Sequence, residues 1–540
     1  MNMIVKWLRR LDLMTLRKLA GETILSAVDI VVKNGIEKEL SEILHLKYST
    51  KILDNKEIRL GIIDTLKEDE ALDLLIKSKL KIQGQSSIQI ISSLRKYFSS
   101  YNKLKSNILC KFLKLDDRYI KQDIQDNRCS TENVNVELNE KLVVKSYLHP
   151  YQKRIKDNII FKLKSNVLNS FLVQMPTGAG KTYTTQEVLV DALRNPYFNK
   201  YIVWIVDSKE LAEQALISFK KLWKLKGDRP INVFRLFENF EPDFNLYNDG
   251  GVVFAGFKKF NSIITNDKHS FYKKIWFLIE NTELIIVDEA HKSVAETYKN
   301  CIKCFMNRSS KLIGLTATPG RNDPEETEEL VNLFSNEVVK ITTEENEKAE
   351  DEIGYLQDQS YLASIKGVLF ETEVKIQDSD EEQILIALAK NSLRNEKIMD
   401  QIESANRNNE STLIFACTLD HVFALTILCR HRMIVSEYII GDTDSNKRLD
   451  ILDQFRKKKF NILINLDILS TGIDLPNLNK IIITRPIGSP ILYSQIIGRA
   501  LRGPLNGGND RNTVMNIKDN LLNFPDANSI YNIFKEDWIK

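Results

Sequence analysis

The segment Met175-Pro176-Thr177-Gly178-Ala179-Gly180-Lys181-Thr182 limits what this chain can fold into more than any other stretch. It follows the apolar run Phe171-Leu172-Val173 and precedes a helix-like stretch from Thr182 to Leu193. A strand, a glycine-rich turn and a helix start, in that order, make a phosphate-binding loop. Gly178 and Gly180 let the backbone curl so that its N–H groups face an anion. Lys181 has the reach for β- and γ-phosphates, and the Thr182 hydroxyl suits Mg²⁺. Met175 stands where the strict pattern has a glycine.

A second phosphate-handling element follows. Leu284-Ile285-Ile286-Val287 reads as a short buried strand, with Asp288-Glu289-Ala290-His291 directly after it. A carboxylate at a strand end beside a phosphate loop can hold Mg²⁺, and a second one can orient and deprotonate an attacking water. Asp288 is the metal candidate and Glu289 the base candidate. Either segment alone is ordinary: a glycine-rich turn, or a solvated acidic loop. Together they specify a nucleoside triphosphate site.

Two further strings complete an ordered set: Leu315-Thr316-Ala317-Thr318-Pro319, and Gln495-Ile496-Ile497-Gly498-Arg499-Ala500-Leu501-Arg502. With PTGAGKT and DEAH they resemble superfamily 2 helicases and translocases. The branch they resemble most holds the motor subunits of type I and type III restriction enzymes and the XPB-type DNA helicases. The resemblance covers residues 145 to 540. It implies an α/β protein of two tandem RecA-like parallel-sheet lobes, with ATP and Mg²⁺ bound in the cleft between them. ATP would meet Thr177, Gly178, Ala179, Gly180, Lys181 and Thr182 of the loop.

The resemblance also assigns roles residue by residue. Leu148-His149-Pro150-Tyr151-Gln152 is similar to a Leu-Arg-Pro-Tyr-Gln string whose glutamine reads adenine, so Gln152 takes that role, with His149 in place of arginine. Asp207-Ser208-Lys209 follows the strand-like Ile202 to Val206. There Ser208 and Lys209 meet a nucleic-acid phosphate, or Asp207 or Ser208 caps the next helix. Gly256-Phe257-Lys258-Lys259 replaces the family's Thr-x-Gln-Lys and leaves Lys258 as a backbone contact. His291, Thr316 and Thr318 would couple the ATP site to the nucleic-acid groove. In the second lobe, Ile440-Gly441-Asp442-Thr443 with Arg448 follows the opening strand at Thr412. Leu466 to Pro476 matches a further motif: Thr471 on a backbone phosphate, Gly472 allowing close approach, Asp474 on the ribose. Arg499 and Arg502 would be arginine fingers reaching across the cleft, with Gln495 sensing the acidic loop or the water. Their three- and four-residue spacings place all three on one helical face. Guanidinium groups suit the charge that develops on transferring phosphoryl oxygens.

Composition bounds the rest. A chain of 540 residues holds several domains, and a net charge of +3 confines any nucleic-acid surface to a local patch. No run of 18 apolar residues occurs, and the N-terminus breaks its apolar residues with Lys6, Arg9, Arg10 and Asp12, unlike a secretory signal. The expectation is a cytoplasmic protein without a membrane partner. Six scattered cysteines argue against a disulfide framework, and Cys301 and Cys304 read as neighbours on one helix rather than half a zinc site.

Residues 1–121 read as a helical accessory domain and 122–144 as a polar linker. Residues 145–340 and 341–540 read as the first and second lobes. Residues 81 to 121 carry nine Lys or Arg interleaved with Tyr97, Phe98, Tyr101, Phe112 and Tyr119. This is either a base-stacking patch or, the favoured reading, a helical hairpin with a solvated lysine face and a buried aromatic stripe. Residues 1 to 147 hold no convincing Asp…Glu-x-Lys nuclease pattern.

The leading expectation is a nucleic-acid-stimulated ATPase acting as a DNA helicase or duplex-DNA translocase. A restriction or anti-phage role would need partner subunits, engaged through the helical N-terminal domain. RNA remodelling and an ATP-gated scaffold without translocation are the alternatives.

Overall fold

The structure is a computed structural model. It describes residues 3–28, 36–80, 86–121, 129–136, 147–165, 168–195, 200–244, 250–306, 310–317, 324–343, 347–349, 351–372, 380–466, 475, 477–487 and 490–518. Two sheets organise the chain from residue 129 onward.

The first sheet contains β1 (Thr131–Val134), β2 (Ser170–Gln174), β3 (Tyr201–Val206), β4 (Ile231–Leu236), β5 (Gly251–Gly256), β6 (Thr282–Asp288), β7 (Lys311–Thr316) and β8 (Val338–Val339). Their order is β1-β4-β5-β3-β6-β7-β2-β8. All neighbours run parallel except β1, which is antiparallel to β4. The central strands are apolar runs buried on both faces, as helix-covered parallel strands must be. In this order β6 and β2, which carry the acidic pair and the phosphate loop, are separated only by β7.

The second sheet contains β9 (Ser364–Glu371), β10 (Thr412–Phe415), β11 (Ser436–Ile439), β12 (Ile462–Asn465), β13 (Lys480–Ile483) and β14 (Arg511–Lys518). Its order is β11-β12-β10-β13-β14-β9, parallel throughout the described residues.

The stretch that reads as a linker holds a strand. β1 pairs with β4 in register Thr131 to Phe234. Arg235, almost fully buried, forks onto both carboxylate oxygens of Glu213 and also engages Glu132 and the Cys129 carbonyl. Polar composition hid this strand, because its partners are charged groups rather than an apolar face.

Residues 3–121 are helical where described. The aromatic stripe is inside: Phe98, Phe112 and Tyr119 are buried, while the Arg59 guanidinium lies 4.4 Å over the Tyr101 ring. The domain packs on the second lobe. The helix Glu22–Val28 lies against the helix Leu419–His431, and one continuous core joins Ile24, Leu40 and Leu44 to Val422 and Phe423. Lys47 pairs with Asp420 at 3.2 Å, and the Tyr438 hydroxyl donates to the Leu46 carbonyl at 2.9 Å. Among the described residues, no helix is long and apolar enough to cross a membrane.

Candidate active site

The phosphate loop joins β2 to the helix Lys181–Leu193. Gly178 and Gly180 both adopt left-handed backbone, at φ +87° and +83°, which curls the intervening amides toward one point. At Gly180 a Cβ would also lie 2.5 Å from Gln152 Nε2, so a side chain here would be strained and would displace the glutamine amide. Lys181 opens the helix, where the backbone N–H groups and the helix dipole favour an anion. The Met175 N–H donates to the Thr316 carbonyl at 3.1 Å, which ties the loop's entry to the end of β7.

The acidic pair lies at the end of β6. Burial, and then the Glu289 carboxylate, push the Asp288 carboxyl up from its ordinary range, while Lys181 pulls it back. For Glu289 burial acts upward, but Lys181, His291, Lys292 and Arg499 together hold it below its ordinary value. Lys181 therefore faces both carboxylates, as a lysine shared between a polyphosphate and its metal must. The donor set fits: Thr182 and Asp288 are hard oxygen ligands suited to Mg²⁺, and the loop amides with Lys181 suit phosphate.

Glu289 itself is at φ +53°, a costly conformation for a residue with a Cβ. It is held by its neighbours. His291 Nδ1 lies 3.4 Å from Glu289 Oε2 and 3.4 Å from Thr316 Oγ1. Lys292 donates to Asp207 at 2.7 Å, and the Tyr298 hydroxyl reaches the other oxygen of the same carboxylate. Asp207 thus anchors the acidic turn to the end of β3, a role its sequence context did not signal.

The second lobe closes directly on the loop. Gly498 sits so tightly against Thr177 that an added Cβ would land on the threonine side chain. From the other side, a Cβ at Gly178 would lie 3.5 Å from the Gly498 carbonyl and 3.6 Å from both Leu362 and Leu501. Gln495 is buried on the helix Pro490–Ile497. The expectation that it shares one helical face with Arg499 and Arg502 is corrected here. The helix ends at Ile497, Arg499 lies in the following turn, and Arg502 forms a lone antiparallel bridge with Leu362. The close approach of Gly498 to the phosphate loop occurs where a continued helix would have carried the chain away. Arg499 nonetheless lies near enough for its charge to help hold the Glu289 carboxyl below its ordinary value.

The adenine candidate Gln152 is buried, and its amide is already engaged. Nε2 donates to the Ala179 carbonyl at 3.0 Å, and Oε1 accepts from the His149 N–H at 3.0 Å. The Tyr151 hydroxyl also hydrogen-bonds the Gln152 side chain, which leaves one lone pair on Oε1 for a base.

The nucleic-acid candidates divide. The Ser208 hydroxyl accepts from the Leu211 N–H at 3.2 Å, which makes it the cap of the helix Lys209–Lys226. Lys209 pairs with Glu238 at 2.6 Å, and Lys258 is exposed. Arg448, given no role by its sequence motif, donates to Glu210 of the first lobe at 3.2 Å. Thr318, Thr471, Gly472 and Asp474 lie outside the described residues.

Residues 145–321 match the family described as "Type III restriction enzyme, res subunit", and residues 393–504 match "Helicase conserved C-terminal domain". The IRC3 helicase of Saccharomyces cerevisiae is 25% identical over 399 residues, covering 69% of this chain and 53% of the relative. The type I restriction enzyme EcoKI endonuclease subunit of Escherichia coli is 23% identical over 391 residues, covering 61% of this chain and 31% of the relative. The chain thus spans about half the length of the first relative and less of the second. Among solved structures, the ATP-dependent Type ISP restriction-modification enzyme LlaBIII bound to DNA shares the fold at a TM-score of 0.50 and 18% identity, over 72% of this chain and 29% of that one. The two matched families occupy the two sheet-bearing lobes in the order the motifs require, and the chain belongs to the superfamily 2 helicases and translocases, related to restriction-enzyme motor subunits.

Proposed function

We propose that this chain is an ATPase stimulated by nucleic acid, and that it moves along duplex DNA as a translocase or helicase in the cytoplasm. One observation carries the reading: the Arg499 turn of the second lobe packs on the phosphate loop of the first, with Gly498 against Thr177. An ATP site whose cationic partners belong to another lobe hydrolyses only when the lobes close. A strand bound across both lobes would make that closure sensitive to nucleic acid.

In this reading Gln152 faces the adenine, and the loop amides with Lys181 hold the triphosphate. Thr182 and Asp288 would hold Mg²⁺, which neutralises phosphate charge when bound. Glu289 takes a proton from the attacking water, and its depressed carboxyl is ionised and ready to accept one. Arg499 and Arg502 neutralise charge on the leaving phosphate. His291 and Thr316 link the acidic turn to β7, so strand binding beyond Thr316 reaches the general base. Lys209 and Lys258 carry charge for the DNA backbone. The restriction-motor relationship supports duplex DNA as the track and partner subunits as the source of any nuclease.

Steady-state hydrolysis with duplex DNA, single-stranded DNA and single-stranded RNA, using Lys181→Ala as the blank, tests this. Stimulation by duplex DNA is expected. Stimulation by RNA alone would replace DNA as the substrate, and hydrolysis indifferent to all three would remove the motor reading.

A further inference from the structure

A continuous hydrogen-bonded path runs from the phosphate loop across the cleft through His149, Asn506 and Tyr361, to which no motif gives a role. In the first lobe the Ala179 carbonyl of the phosphate loop accepts from Gln152 Nε2 and from the Tyr151 hydroxyl, at 3.0 and 2.9 Å. Gln152 Oε1 accepts from the His149 N–H. His149 Nε2 then lies 2.9 Å from Asn506 Oδ1 in the second lobe. A carbonyl oxygen can only accept, so the imidazole donates, and Asn506 Nδ2 donates in turn to the Tyr361 carbonyl at 2.8 Å. That same carbonyl accepts from the Gly503 N–H at 3.2 Å, next to Arg502. Leu362 bridges Arg502, and the Ala363 N–H donates to the Leu501 carbonyl at 2.8 Å. The Tyr361 ring fills the space alongside, 4.7 Å from His149 and 4.8 Å from Tyr151.

The path starts on the loop that holds phosphate and ends on the segment that carries the arginines. Its single side-chain link between lobes, His149 to Asn506, must break when the lobes part. We propose that His149, Asn506 and Tyr361 form an inter-lobe clasp, positioning residues that favour the closed cleft and set Arg499 and Arg502 against the phosphate loop. This rests on the ATPase reading above. In the Leu-x-Pro-Tyr-Gln string the second residue is therefore a contact to the other lobe, and His149 suits it because an imidazole both packs at a tilt against Tyr361 and donates to Asn506.

The full-length chain, with Cys129→Ser and dyes on the exposed Lys273→Cys of the first lobe and Lys457→Cys of the second, reports closure by energy transfer. The probe is a non-hydrolysable ATP analogue with Mg²⁺, alongside kcat and KM for ATP in duplex DNA. His149→Ala and Asn506→Ala are each expected to lower the closed-to-open ratio about tenfold and to lower kcat in step. The double variant should be no worse than either single, because both break one path. His149→Gln, whose amide can donate the same bond, should restore most of the loss, which a merely structural role would not do. A ratio within about twofold of wild type in His149→Ala, or single losses that multiply in the double variant, would overturn the clasp. Closure is read without hydrolysis, so a protein that closes but does not cleave ATP refutes the ATPase reading and leaves the clasp to be decided on its own.

Discussion

At the scale of single residues, the site depends on close approaches that leave no spare volume. Gly498→Ala would drive a methyl group into Thr177, so hydrolysis should fall at least tenfold while the melting temperature stays near wild type. Thr177→Ser removes part of the obstruction and should recover some of that loss when combined with it; steady-state kinetics on the pair checks both. Lys181→Ala should reduce hydrolysis about 10³-fold or more, since the residue faces the phosphate site and both carboxylates. The phosphate-loop glycines, Lys181 and the acidic pair were legible in the sequence because their chemistry is local: a turn that needs glycine, a lysine beside it, an acidic pair at a strand end; the packing of Gly498 on Thr177 was not. Asp207, Tyr361 and Asn506 were not legible. Each acts through a partner tens to hundreds of residues away, Lys292 for Asp207 and His149 for Asn506, and their own surroundings carry no pattern.

At the scale of elements, caps and buried polar groups decide what a substitution does. The Ser208 hydroxyl caps the helix Lys209–Lys226, so Ser208→Ala should cost about 1 kcal/mol in denaturant unfolding and leave DNA affinity near wild type. A tenfold loss of affinity at unchanged stability would make Ser208 a phosphate contact instead. The helix Leu419–His431 contains a buried histidine whose Nδ1 accepts from the Cys417 N–H and whose Nε2 faces Asn395 Oδ1. Burial, then the Arg394 charge, push its pKa down to about 3. The unfolded chain takes up a proton near pH 6.5 and the folded one does not. Stability is therefore complete above 6.5 and falls by about 1.4 kcal/mol per pH unit from this group as pH drops toward 3. His421→Gln should flatten that slope in pH-dependent unfolding. The parallel strands were readable as apolar runs between helical stretches. The end of the helix at Ile497 was not, because the string to Arg502 has no breaker except Gly498, and the turn there packs on the phosphate loop of the other lobe.

At the scale of the whole molecule, the helical domain and the second lobe share one core although some 300 residues of sequence separate them. Ile24 is fully buried in that shared core. Ile24→Ala should cost about 2–5 kcal/mol, and removal of residues 1–121 should leave the second lobe aggregation-prone by exposing Val422 and Phe423. Size-exclusion chromatography of the truncated chain decides this, with a monodisperse, ATP-hydrolysing product as the contrary result. The domain then rides on the second lobe while the chain returns through β1 to the first, so opening of the cleft moves helical domain and second lobe together. Helical character was legible from leucine spacing. The docking partner was not, because amphipathic spacing gives a buried face without saying what buries it.

The central claim is that residues of both lobes make one hydrolytic site whose completion nucleic acid controls. The measurement that tests it most directly is ATP turnover of wild type and Arg499→Ala, each with and without saturating duplex DNA. The account predicts DNA-stimulated turnover in the wild type, and in Arg499→Ala a loss of about 10²-fold or more that DNA does not restore. Turnover in Arg499→Ala equal to wild type, or wild-type turnover unchanged by nucleic acid, would contradict it.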